Sequence, residues 1–187
     1  MLRSDAVLYE LYSHVSSCGR DKRVNDRNRG KGILHHPDGT PKLLVAASKG
    51  GHWDQVMMLR DVFAPYSVAY ATTDRNLSVA NGTERAYDLP DCNRHTPLLL
   101  LQCFLISFWT VWRFRPNYVV STGALPGLLC ILFGRLLGAE TIWVDSVANA
   151  ERLSMCGRVA TCVATVTLTQ WEHLARPEGP SYVGSIL

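Results

Sequence analysis

The stretch Lys42–Asp54, Lys-Leu-Leu-Val-Ala-Ala-Ser-Lys-Gly-Gly-His-Trp-Asp, constrains the fold more than any other part of the chain. Its apolar run Leu43–Ala47 has the length and composition of a buried strand. Ser48-Lys49-Gly50-Gly51 predicts a tight turn, and His52 stands where a helix begins. A strand that passes through a glycine turn into a helix leaves backbone N–H groups unpaired, and the helix dipole adds partial positive charge. Such a turn suits a phosphate or another anion. Glycine permits close backbone approach and left-handed torsions. The same residues also describe a plain strand-to-helix turn with His52 as a polar cap, and Gly-Gly alone does not decide between the two.

Downstream of Lys42, strand and helix patterns alternate. A helix is expected over 52–64, with Val56, Leu59 and Phe63 on one stripe, then a strand at Ser67–Ala71. Residues 73–84 read as a loop or short helix, and Ala86–Leu89 as a short strand before Pro90. Leu98–Phe114 reads as a long apolar helix. Tyr118–Ser121 is a strand that ends in Thr122-Gly123, and Pro126 fits the first turn of a helix over 125–137. Gly138 would cap that helix. Thr141–Val144 is a strand ending at Asp145-Ser146; further elements are a helix at 152–160, a strand at 164–168, a short helix at 170–175 and a strand at Tyr182-Val183. This alternation implies a Rossmann-like α/β domain: a parallel sheet, right-handed crossovers and helices on both faces. Ligands bind such sheets outside the strand carboxyl ends. Gly50-Gly51-His52, Ser121-Thr122-Gly123 and Asp145-Ser146 all fall at that edge.

At 187 residues, the chain is long enough for one substantial core. It divides into residues 1–41, with an amphipathic helix expected at 5–17 and a polar linker over 19–41, and the α/β domain 42–187. Asp5, Glu10 and His14 interrupt any secretory signal core. A net charge of +3 without a basic stripe argues against a nucleic-acid partner. The six cysteines show no zinc spacing and suit buried reduced thiols; neither they nor His35-His36 predict a metal site.

Leu98–Trp112 is apolar on nearly every face, broken only by Gln102, Ser107 and Thr110. It is shorter than the roughly 20 residues of a spanning helix. Core packing explains it in part, but the polar outer face of a soluble α/β helix is missing. Monotopic contact with a membrane interface is therefore expected, with Trp109, Trp112, Arg113 and Arg115 at headgroup level.

Familiar nucleotide and hydrolase motifs are absent. There is no Gly-x-Gly-x-x-Gly after the first strand, no Walker Gly-Lys-Ser/Thr and no Gly-x-Ser-x-Gly elbow. Five other stretches do occur in order. They are Ser-Lys-Gly-Gly-His-Trp-Asp-Gln (48–55), Pro-Asn-Tyr-Val-Val-Ser-Thr-Gly-Ala (116–124), Ile-Trp-Val-Asp-Ser (142–146), Leu-Ser-Met-Cys-Gly-Arg (153–158) and Thr-Gln-Trp-Glu (169–172).

Together they resemble the asparagine-linked-glycosylation "fourteen" family and its bacterial exopolysaccharide relatives of the PssD/CpsF type, over about residues 42–187. That resemblance implies the N-terminal, acceptor-side half of a GT-B glycosyltransferase, similar to that half of MurG. It implies a membrane-associated subunit that presents a polyprenyl-diphosphate glycolipid acceptor and recruits a donor-binding, PssE-like subunit. The UDP-sugar would then be held mainly by the partner, with no cofactor on this chain. The absence of an upstream spanning helix points to a bacterial type at the cytoplasmic face of the inner membrane.

By position, the resemblance implies acceptor or phosphate contact for Ser48, Lys49, Gly50, Gly51, Ser121, Thr122, Gly123 and Ser146. It implies a catalytic role for His52, orienting or deprotonating the acceptor hydroxyl, and for Asp145, which stands where many members carry glutamate. Gln170, Trp171 and Glu172 would face the partner, as would the tail Gly184–Leu187. The alternative is a membrane adaptor without catalysis, in which the glycine turn is merely structural. A free-standing nucleotide-binding domain is more distant.

Overall fold

The computed structural model describes residues 39–83, 85–92 and 96–186. The expected helix at 5–17 and most of the linker lie outside them. Among the described residues, β1 (Lys42–Ala47) leads into α1 (Gly51–Met58) and the short α2 (Arg60–Phe63). Next come β2 (Ser67–Thr72), α3 (Arg75–Ala80) and β3 (Ala86–Asp88). The chain then runs through α4 (Pro97–Phe114), β4 (Tyr118–Ser121), α5 (Ala124–Leu136) and β5 (Glu140–Val144). It ends with α6 (Met155–Val163), β6 (Val166–Thr169), a 3-10 turn (Glu172–Leu174) and β7 (Ser181–Tyr182).

The strands form one parallel sheet in the order β3-β2-β1-β4-β5-β6-β7. Alternate residues of β1 serve opposite faces: Leu44 and Ala46 join the α4–α5 core, while Leu43 and Val45 join the core of Trp53, Val56 and Leu59. This two-sided burial gives β1 its unbroken apolar run. The Rossmann-like architecture with helices on both faces is as expected. From β1 the chain winds first towards β2 and β3, then crosses back to β4. The gap between the carboxyl ends of β1 and β4 is therefore the topological switch point, where open α/β sheets bind ligands.

Local chemistry moves several boundaries. The helix expected over 52–64 breaks at Leu59, whose N–H bonds to the carbonyls of Val56 and Met57. The helix expected at 152–160 starts at Met155 because the Ser154 hydroxyl accepts from the Gly157 N–H at 2.7 Å, an N-cap bond. The helix expected at 170–175 is only a single 3-10 turn. Pro97 opens α4, and left-handed Arg115 followed by Pro116 closes it.

The long helix α4 is turned inside out for a soluble protein. It buries Cys103, Ser107 and Thr110, while Leu98 (83%), Leu101 (57%), Leu105 (55%) and Trp109 (52%) stand exposed. Only 28% of the helix is buried. It is long and apolar enough to cross a membrane on length and composition, yet as the crossover between β3 and β4 it packs on α5, where Phe104 and Phe108 meet Phe133 edge-on. Of the cysteines described, Cys92, Cys103 and Cys130 are buried and Cys156 half-buried; Cys162 departs from expectation by being exposed.

Candidate functional site

Two helix N-termini meet at the switch point. α1 starts after Gly50 and α5 after Gly123, and among the described residues no side chain caps either. Their first N–H groups and dipole ends thus remain available to an anion. Gly50 adopts φ 79°, which explains glycine there. Gly51 is different: a Cβ added to it would meet no atom within 4 Å, so the fold does not demand glycine at that position.

His52 joins the two turns. Its Nδ1–H donates to the Thr122 carbonyl at 3.0 Å, and the Thr122 hydroxyl donates back to the His52 carbonyl at 2.7 Å. Because a carbonyl only accepts, Nδ1 carries the proton and Nε2 carries the lone pair. The ring packs directly on Gly123, whose Cβ, if it had one, would stand 2.9 Å from Nε2 and still closer to Cε1 and Nδ1. Burial holds the imidazole below its usual range; the Thr122 bond and the Asp145 charge pull the other way. His52 is thus a neutral base of fixed tautomer at the mouth of an anion-ready cleft.

Other expected residues have different roles. Ser121 is buried and its hydroxyl accepts from the Gly123 N–H at 3.3 Å. With the Thr122 hydroxyl also turned to the backbone, these two side chains hold the second turn, and the backbone forms its outer surface. Ser48 is half-buried just after β1. Lys49 is exposed and pairs with Asp91 at 2.9 Å, so its charge is shared across the rim between β1 and β3.

Asp145 requires a correction. It is only 2% exposed, and four donors fill its carboxylate. Oδ1 accepts from Trp143 Nε1 at 3.1 Å and Ser154 Oγ at 2.6 Å, and Oδ2 from Ser154 N at 3.0 Å and Asn149 Nδ2 at 3.2 Å. Gly157 packs directly on Oδ1. All four bonds tie the carboxylate to the segment from Trp143 to Ser154, so in this structure it organises the 146–154 loop and is not presented to the cleft as a base. Ser146 is buried next to it, its hydroxyl accepting from Gln55 Nε2 at 3.0 Å.

Gln170 is also corrected. At 4% exposure it cannot present its side chain to a partner. Trp171 is half-buried and donates to the Val147 carbonyl at 2.8 Å, which leaves Glu172 as the exposed member of the trio. Sequence reasoning missed Gln55. Its signal was a lone amide beside the apolar stripe of α1, within the Trp-Asp-Gln motif. Among the described residues, no group of three or more His, Cys, Asp or Glu could hold a metal ion.

No family model matches the chain. Two curated proteins named as UDP-N-acetylglucosamine transferase subunit ALG14 are similar to it. The human one is 23% identical across 83% of this chain and 89% of its own length, and the Yarrowia lipolytica one 24% identical across 77% and 80%. Among solved structures, Acinetobacter baumannii MurG superposes with a TM-score of 0.61 at 14% identity, over 78% of this chain and 46% of MurG. UDP-N-acetylglucosamine 2-epimerase from Rickettsia bellii gives 0.59 at 11%, over 79% of this chain and 45% of the epimerase. The chain spans about half the length of these structures. At such identities they show the fold alone, a Rossmann-like domain of the GT-B type. A transferase and an epimerase share it, so chemistry has to be argued from the site.

Proposed function

We propose that this chain is the acceptor-binding, membrane-docking subunit of a UDP-sugar glycosyltransferase, working with a separate donor-binding chain on a polyprenyl-diphosphate-linked acceptor. The observation that carries it is the pairing of His52, a neutral base whose Nε2 lone pair has no partner among the described residues, with two helix N-termini that no described side chain caps, at one switch point. The names of the two ALG14 relatives favour N-acetylglucosamine as the transferred sugar.

The acceptor diphosphate sits across the N-termini of α1 and α5, where backbone N–H groups and dipoles meet its charge. The acceptor hydroxyl attacks C1 of the donor sugar, passes its proton to His52 Nε2, and the bond from C1 to the UDP oxygen breaks with its electrons leaving on UDP. Such inverting displacement needs a base that is unprotonated near neutral pH. The partner supplies the groups that stabilise UDP. Helices between parallel strands run against the sheet, so α4 starts at the same carboxyl edge as the site. Its exposed Leu98 and Leu101 support a membrane interface on that edge, with Trp109, Trp112 and Arg113 further along the helix.

The test is a transferase assay on vesicles, offering UDP-N-acetylglucosamine and other UDP-sugars with a polyprenyl-diphosphate sugar acceptor. Product formed only when both chains are present supports the reading. Turnover by this chain alone, or none by a stable pair on any acceptor, refutes it; the second result favours an adaptor.

A further inference from the structure

Beneath the glycine turn, two buried amides form a chain of hydrogen bonds that runs from the site to the last residues described. Gln55 Nε2 donates to the Gly51 carbonyl at 3.1 Å and to Ser146 Oγ at 3.0 Å. Its Oε1 accepts from Gln170 Nε2 at 2.7 Å and from Val147 N at 3.4 Å. Gln170 Nε2 donates a second bond to the Asp145 carbonyl at 3.0 Å, and its Oε1 accepts from Ile186 N at 3.1 Å and Ser185 Oγ at 3.4 Å. Each amide therefore uses both N–H groups and both lone pairs, and each is about 4% exposed.

The orientations are not free. Gly51 and Asp145 offer carbonyls, which only accept; Val147 and Ile186 offer backbone N–H groups, which only donate. Neither amide can flip without setting donor against donor, so the two are locked in one orientation relative to each other. The bonds join four segments, the turn at Gly51, the loop at 145–147, the end of β6 and the chain after β7, and they terminate on the residue next to His52.

We propose that Gln55 and Gln170 are positioning residues, which relay the placement of the C-terminal segment Ser185–Ile186 to the Gly51 carbonyl and so set the glycine turn and the His52 ring. This rests on the acceptor-site reading for its catalytic meaning. Anything that docks on the C-terminal segment then acts on the acceptor turn without touching it.

Two variants of the full chain test this. Gln170→Glu keeps the size but sets a carboxylate against Gln55 Oε1 and the Asp145 carbonyl. Ile186→Pro removes the N–H that the segment contributes and leaves the site's own residues intact. The readouts are thermal unfolding, the His52 ring resonances by nitrogen–proton NMR, and binding of inorganic pyrophosphate. Both variants are expected to fold, to shift the His52 ring signals in the same direction and to weaken pyrophosphate binding about tenfold. In the two-chain assay kcat should fall while KM for the UDP-sugar stays. Unchanged ring signals in folded Ile186→Pro overturn the proposal, as does an effect of Gln170→Glu alone. Should Gln170→Glu not fold, Ile186→Pro decides by itself. The ring signals need neither ligand nor turnover. If pyrophosphate does not bind the parent chain, the acceptor-site reading fails while the relay is still judged.

Discussion

Replacing Asp145 by Asn separates an organising carboxylate from a catalytic one, because the structure fixes what the change must cost. The substitution preserves shape and exchanges one acceptor oxygen for an NH2 group. If the new amide keeps its oxygen towards Trp143 and Ser154 Oγ, its NH2 opposes the Ser154 N–H, while Asn149 can turn its own amide to accept; one bond becomes a donor-to-donor contact. The flipped amide instead strands Trp143 Nε1, which is fully buried, and opposes the Ser154 hydroxyl that caps α6. The first arrangement is cheaper. One hydrogen bond to a charged group at about 1.5–3 kcal/mol, with the remaining bonds now made to a neutral amide and the charge no longer buried, gives a loss of about 2 kcal/mol. With an m-value of about 2 kcal/mol/M, the urea midpoint in mild detergent falls by roughly 1 M. The protein that remains folded should keep its turnover within a few-fold. An unmoved midpoint together with turnover lost by a factor of roughly a hundred or more would refute this reasoning and make Asp145 the base.

Gly51→Ala gives the complementary result. Its Cβ meets no neighbour, so stability should change by less than about 0.5 kcal/mol while the KM for the diphosphate acceptor rises, as read by thermal unfolding and initial rates. Exchanging Leu101 and Leu105 for Glu should leave the fold intact and weaken partition onto anionic vesicles by about a hundredfold or more, given about 1.5–3 kcal/mol for each leucine taken from water, as a flotation assay would show. Burial lowers the His52 value in the folded chain, so as pH drops below about 6.5 the unfolded chain binds the proton first and stability declines. Urea midpoints at pH 7.5 and 5.5 should show that slope, and His52→Gln should flatten it.

The sequence disclosed the order of the sheet elements because each strand is a short apolar run ended by glycine or a polar pair, as at Ala47-Ser48 and Ser121-Thr122. It also disclosed the switch-point turns, since Gly50 and Gly123 punctuate strand–helix junctions. What it concealed is where side chains point. Asp145-Ser146 at a strand end looks the same whether the carboxylate faces a ligand or a loop, and only Trp143, Asn149 and Ser154 closing on it decide the matter. Gln170 resembled a surface residue because its partners Gln55 and Ile186 lie 115 and 16 residues away. Propensity carries no information about contacts at such separations. The α4 helix was legible as oily, but its inversion appeared only once Ser107 and Thr110 were seen to face the core.

The most direct measurement of the account is the rate of sugar transfer by the two-chain complex with His52→Ala, across pH 5 to 8, alongside the parent. Loss of a positioned general base predicts a fall in kcat of about 10²–10⁴-fold, with the complex intact and vesicle binding unchanged. The parent's acid limb should lie below the ordinary histidine value of 6.5 and vanish in the variant. Turnover of the variant equal to the parent, with the same acid limb, would contradict the account and return the Gly50-Gly51-His52 turn to a purely structural role.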